Sequence, residues 1–133
     1  MNGIENILKE KKAFITTVCG DSMFPLLREG KDRVIITSPE LPLKKYDVAV
    51  YRRNGHYTMH RIIGTTKTGY LICGDNRTNI EKDITDKDIV GVMSYICRDG
   101  KIISVEDNAY ISYSKKVVRT LPLRIIKKLM KML

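Results

Sequence analysis

Over most of this chain the apolar residues recur at every second position, in short runs separated by turn-forming residues, and that period predicts strands. Residues 13–19 are rich in β-branched side chains and read as the first strand, with residues 32–37 as the second. A Ser-Pro-Glu-Leu-Pro loop (38–42) leads to a third at 47–52. Asn54-Gly55 supplies positive φ and turns that strand into a hairpin with residues 57–64. The turn at Lys67-Thr68-Gly69 leads to a strand at 70–73, a loop over 74–87 leads to another at 89–97, and Asp99-Gly100 turns the chain back through 101–105.

At both ends the period changes to that of a helix. Residues 2–11 place Ile4, Ile7 and Leu8 on one helical face, with Asn2 positioned to cap. From Asp107 onward Tyr110, Ile111, Tyr113, Val117 and Val118 fit a helix, which Pro122 interrupts before a second helical stretch. In residues 123–133, at about 100° per residue, Arg124, Lys127, Lys128 and Lys131 share one narrow arc. Ile125, Ile126, Leu129, Met130, Met132 and Leu133 cover the opposite side. Such a helix either lies in a membrane interface or packs its apolar side on the protein's own sheet, and the pattern leaves both open. The expected fold is mainly β, a partly closed antiparallel barrel or sheets with short N-terminal and C-terminal helices, not a βαβ fold. The expected organisation is one domain over 1–133, with a β core at 13–105 and a helical extension at 107–133.

Composition narrows the partners more than the fold. No run approaches the roughly 18 apolar residues of a membrane span, and residues 1–12 lack the apolar core of a secretory signal. A cytoplasmic protein, soluble or peripheral at the membrane, is therefore expected. The excess of 24 Lys and Arg over 15 Asp and Glu, a formal charge of +9, favours anionic partners such as lipid headgroups, acidic peptides or nucleic acid without choosing among them. The three cysteines Cys19, Cys73 and Cys97 are odd in number and show no Cys-x-x-Cys spacing, so neither a disulfide framework nor a zinc site is indicated. His56 and His60, four apart on one strand, are separated by roughly 13 Å and cannot share a metal. No metal or cofactor is expected.

The candidate chemistry lies in the turn Cys19-Gly20-Asp21-Ser22-Met23-Phe24-Pro25. A serine hydroxyl is a weak nucleophile at neutral pH and needs a positioned base. His60, in Tyr57-Thr58-Met59-His60-Arg61-Ile62-Ile63, supplies one, and the next turn, Cys73-Gly74-Asp75-Asn76, supplies a carboxylate. Serine in a tight turn, histidine on a strand and a carboxylate in a later turn are the parts of an acyl-transfer site. Other patterns carry less. Lys67-Thr68-Gly69 lacks the Ser-x-x-Lys partner that would give it catalytic meaning, Asn76-Arg77-Thr78 is a glycosylation sequon only in a secreted eukaryotic protein, and residues 75–81 lack the glycine of a calcium loop.

In the order and spacing of these boxes, the chain resembles the type I signal peptidase superfamily across residues 17–98, ending in Asp88-Ile89-Val90-Gly91-Val92, which looks like that family's closing strand. The resemblance implies Ser22 as nucleophile and His60 as base, in the manner of the ER-type enzymes; most bacterial members carry lysine at this position. It implies substrate contacts from Gly20, Met23, Phe24 and Pro25, and an oxyanion hole built from main-chain N–H groups near Ser22. For the third member it offers two assignments. Asp75 belongs to the Gly-Asp-Asn box and can alternatively pair with Arg61, while the downstream aspartate of the ER-type enzymes corresponds to Glu81; the two are expected to share the work, with Asp83 behind them.

The expected function is that of a serine endopeptidase resembling signal peptidase, cleaving an extended peptide or leader by a Ser/His dyad or triad, with small residues flanking the scissile bond. The alternative is a non-catalytic peptide- or membrane-binding module that keeps the fold. Because no anchor precedes the domain in this sequence, the expected substrate is a cytosolic peptide, with residues 123–133 facing an anionic membrane surface as a further partner; nucleic acid is not expected. The SOS-repressor peptidases, similar in fold, cut their own upstream arm. With 21 residues ahead of Ser22, self-cleavage is not expected.

Overall fold

The structure, a computed structural model, describes residues 3–133. Helix α1 (Ile4–Lys11) precedes strands β1 (Ala13–Thr17), β2 (Arg33–Thr37), β3 (Val48–Arg53), β4 (His56–Thr66), β5 (Gly69–Cys73), β6 (Glu81–Ile84), β7 (Ile89–Arg98) and β8 (Lys101–Ser104). Helices α2 (Asn108–Arg119) and α3 (Leu121–Lys131) follow. All strand pairs are antiparallel in one eight-stranded sheet ordered β1-β2-β7-β3-β4-β5-β6, with β8 also on β7. The sheet is open: among the described residues β1 pairs only with β2, and β6 only with β5.

Two long strands change partner along their length and so bend the sheet. β7 lies against β3 at Ile89 to Val92 and against β8 at Tyr95 to Arg98. β4 lies against β3 from His56 to Arg61, then against β5 from Arg61 to Thr66, with a register shift between Ile62 and Gly64. Such bulges tighten local twist and re-aim side chains. The bend leaves two apolar cores, and β3 runs between them. Val48 and Val50 enter the core that holds Leu8, Leu27 and Val34, while Ala49 and Tyr51 enter the one that holds Ile62, Ile72 and Ile84. A strand buried on both faces reads as a continuous apolar run, as Val48-Ala49-Val50-Tyr51 does.

The sequence reading places a loop over 74–87, and within it the structure forms β6, pairing Ile84 with Tyr70 and Glu81 with Ile72. Glu-Lys-Asp-Ile has little strand propensity of its own; the free edge of β5 and the complete burial of Ile84 supply what the segment lacks. The expected cap Asn2 lies outside the described residues, and the N-cap position of α1 is Gly3, without a side-chain cap bond. At the other end Tyr110 and Ser114 bury α2 against the sheet. Pro122 stands in the first turn of α3, where a missing N–H costs nothing. Leu121 is the only buried residue of α3, and its apolar face is exposed.

Candidate active site

Ser22 lies in the connection between β1 and β2, and three kinds of bond hold that connection. Its ends are closed by the Val18 N–H donating to the Asp32 carbonyl and the Gly30 N–H donating to the Val18 carbonyl, both at 2.9 Å. Gly20 turns the chain with φ of 80°, a left-handed value that glycine takes without strain, and its N–H donates to Glu29 Oε2 at 2.7 Å. Beneath the turn the fully buried Asp32 carboxylate accepts from the Arg28 backbone N–H at 2.8 Å and from the Arg28 and Arg98 guanidinium groups, each at 2.7 Å. Burial pushes that carboxyl up, but the two guanidinium groups outweigh it and hold it far below the usual carboxylate range. Arg98 also donates to the Leu26 carbonyl, fastening the turn to β7.

A second loop grips the turn from the other side. The Asn76 N–H donates to the Ser22 carbonyl at 2.8 Å, and the Arg77 guanidinium to Asp21 Oδ1 at 2.6 Å. Between the turn and His60 stands Gly74: a Cβ added there would lie 2.8 Å from the Ser22 carbonyl oxygen and 3.2 Å from His60 Cδ2. The Cδ2 side of the imidazole, which carries Nε2 next to it, therefore faces Gly74. In this conformation the Ser22 hydroxyl makes no hydrogen bond among the described residues, and neither do the Ser22 and Met23 backbone N–H groups.

The other side of the ring is committed. His60 Nδ1 lies 3.3 Å from the Tyr51 hydroxyl, which donates its proton to Glu81 Oε1 at 2.5 Å. Burial first, then the Glu81 hydrogen bond and charge, push the Tyr51 hydroxyl far above the ordinary phenol range, so it remains a donor. With that proton given to Glu81, Tyr51 can only accept from His60. The proton of the neutral imidazole thus sits on Nδ1 and leaves Nε2 a free acceptor, the tautomer a base facing Ser22 requires. Glu81 therefore reaches His60 only through Tyr51, its second oxygen 3.7 Å from Arg53.

The remaining site residues divide cleanly. Asp75 makes no bond to His60; it is fully buried in a bidentate pair with Arg61 at 2.8 and 2.9 Å and accepts from the Tyr113 hydroxyl at 3.0 Å. Asp83 is at the surface, bonded to Thr68, and His56 stands exposed at the hairpin end opposite Arg53. Met23 is buried, and its sulfur accepts the Asp75 N–H at 3.4 Å. Gly20, Ser22 and Met23 line a cavity of about 150 Å³ with Cys19 and Thr58. Phe24 and Pro25 are exposed beyond it. Sequence reasoning passed over Tyr51, yet the signal was present: the two-residue Asn54-Gly55 turn sets Tyr51 opposite Thr58 and Ala49 opposite His60, which makes Tyr51 and His60 diagonal neighbours on one face.

Burial is the main influence on His60 and holds its pKa below 6.5; the Glu81 charge raises it, Arg77 lowers it and Asp75 raises it, in decreasing order. A base must be neutral, so activity that depends on His60 should rise with pH through a midpoint below 6.5 and level off above it. Glu81→Gln removes the larger raising charge and should move that midpoint to lower pH, whereas Arg77→Gln should move it to higher pH. Tyr51→Phe, which frees the tautomer, should lower kcat by about 10- to 100-fold. Midpoints that stay fixed in both charge variants would separate the activity from His60.

The sequence model of a family described as Peptidase S24-like matches residues 3–94 of this chain. A search of curated proteins gave no match.

Proposed function

The chain belongs to the Peptidase S24-like family, and on that premise we propose that it is a serine endopeptidase in which Ser22 is the nucleophile and His60 the general base. The observation that supports the reading is that Gly74 abuts both partners, a Cβ built there lying 2.8 Å from the Ser22 carbonyl oxygen and 3.2 Å from His60 Cδ2, while His60 Nδ1 is engaged by Tyr51. Ser22 Oγ attacks the scissile carbonyl as His60 Nε2 takes its proton, and the oxyanion is met by the Ser22 and Met23 N–H groups. His60 then gives the proton to the leaving amine, and water attacks the acyl-enzyme by the same route. Tyr51 and Glu81 hold the ring through both steps and stabilise the imidazolium. The Arg61–Asp75 pair keeps β4 and the Gly74 loop at fixed separation.

The unpaired edges support a path for the substrate. Among the described residues the outer edge of β1 has no partner, and His56 to His60 of β4 pair only with β3. A cavity of about 190 Å³, lined in part by Phe14, Ile36 and Val50, shares Val18, Cys19 and Tyr57 to Met59 with the one at Ser22. An extended peptide laid along these edges gains backbone pairing and sends alternate side chains into the two cavities. The limited volume at Ser22 favours small side chains next to the scissile bond.

The test is cleavage of an extended-peptide library, read by mass spectrometry, for the wild type and for Gly74→Ala. Added bulk at Gly74 pushes the Ser22 turn from the ring, and a displacement of about 1 Å costs on the order of 100-fold in rate. Cleavage lost to that degree with peptide binding retained is the expected result. A wild type that binds library peptides and cuts none would leave a binding module on the peptidase fold and overturn the proposal.

A further inference from the structure

Helix α3 carries a surface that the peptidase reading does not use. Leu123, Ile126, Leu129, Met130 and Met132 are 57, 50, 57, 65 and 74% exposed, on a helix whose only buried residue is Leu121. From Asn108 to Leu133 the chain has seven Lys or Arg residues and no Asp or Glu. We infer that the outward face of α3 docks on an anionic lipid surface, the helix lying in the interface with its apolar side chains inserted and its lysines at the headgroups.

Two features select this occupant. A second copy would set the free Lys127 and Lys131 of one α3 against those of the other, with no acid from Asn108 to Leu133 to offset them, so an isologous contact through α3 is opposed by charge. A nucleic acid would satisfy the cations and leave the apolar stripe in water, whereas an anionic bilayer satisfies both at once. No helix among the described residues is long and apolar enough to cross a membrane, so the mode is interfacial. Arg124 and Lys128 fasten the helix to the rest of the protein: Arg124 donates to the Val117 carbonyl at 2.8 Å and to the Arg77 carbonyl at 3.4 Å, and Lys128 to Thr78 Oγ1 at 3.1 Å. Lys127 and Lys131 are exposed and free to meet headgroups. Arg77 belongs to the loop that clasps the Ser22 turn, so docking through α3 also holds that turn at the membrane surface.

The chain has no tryptophan, so Met130→Trp gives a single emission probe on the proposed face. With phosphatidylcholine vesicles containing about one-fifth phosphatidylserine, its emission should shift to the blue. Pure phosphatidylcholine should produce no shift, and raising the salt should reverse it. Each lysine near an anionic surface strengthens partitioning about fivefold, so Lys127→Ala with Lys131→Ala should weaken vesicle binding by about 25-fold. Leu129→Glu with Met130→Glu should abolish binding and leave the melting temperature unchanged, since both residues point outward. Failure of the intact chain to bind the anionic vesicles would overturn the inference, as would capture of a DNA duplex without vesicle binding. Concentration-dependent dimerisation lost in Leu129→Glu, or a fall in melting temperature in the glutamate variant, would show the face already covered and overturn it equally. These measurements use no peptide substrate, so they stand or fall apart from the peptidase proposal.

Discussion

Replacing Ser22 with alanine is expected to reduce peptide cleavage by about 10⁵- to 10⁶-fold and to leave the melting temperature almost unchanged. The Ser22 hydroxyl makes no hydrogen bond among the described residues, so removing it takes nothing from the fold. His60→Ala should cost a similar factor, because nucleophile and base act as one unit, and the double variant should be no worse than either alone. If the two losses multiplied, Ser22 and His60 would belong to separate functions. His60→Lys is the sharper comparison. An ordinary lysine titrates near 10.4, and the burial that lowers the His60 pKa would lower that of a lysine as well. Residual cleavage with its acid limb moved to higher pH is expected, and an unchanged profile in His60→Lys would remove His60 from the base role.

Much of this arrangement was legible in the sequence because it rests on local rules. Asn54-Gly55 and Asp99-Gly100 announced their hairpins, and Asn54, Gly55, Asp99 and Gly100 all take the positive φ such turns need. The run at 47–52 marked a strand, which the structure covers on both faces. What escaped was set by distant pairing. β6 exists because the edge of β5 is free, which no property of Glu81 to Ile84 reveals. The role of Tyr51 depends on β6 carrying Glu81 to its hydroxyl, so passing over the strand also hid the relay. The partner of Asp75 was open for a similar reason. Its choice of Arg61 is enforced by α2, which lays Tyr110, Tyr113 and Ser114 over the pair from more than thirty residues downstream.

That buried pair should be the largest single contributor to stability that point substitution can expose. Both side chains of Arg61 and Asp75 are fully buried, and Arg61 completes its bonds with the Tyr46 carbonyl at 2.9 Å and Ser114 Oγ at 2.7 Å. Asp75→Asn preserves shape and leaves the guanidinium charge without its counter-ion, which typically costs about 3–5 kcal/mol. Against a total stability of about 5–15 kcal/mol, that should lower the melting temperature by roughly 10–20 °C. Replacing both partners, Arg61→Met with Asp75→Leu, should recover part of the loss, because an apolar pair has no charge to desolvate. Recovery is incomplete since Tyr113, Ser114 and the Tyr46 carbonyl then lose their partner. The same pair ties the strand bearing His60 to the loop bearing Gly74, so the Asp75→Asn protein, assayed well below its melting temperature, should also lose kcat. A melting temperature within 2 °C of wild type, by calorimetry in the Asp75→Asn variant, would mean that Arg61 is neutralised by some other group, and the tie between base and turn would have to be sought elsewhere.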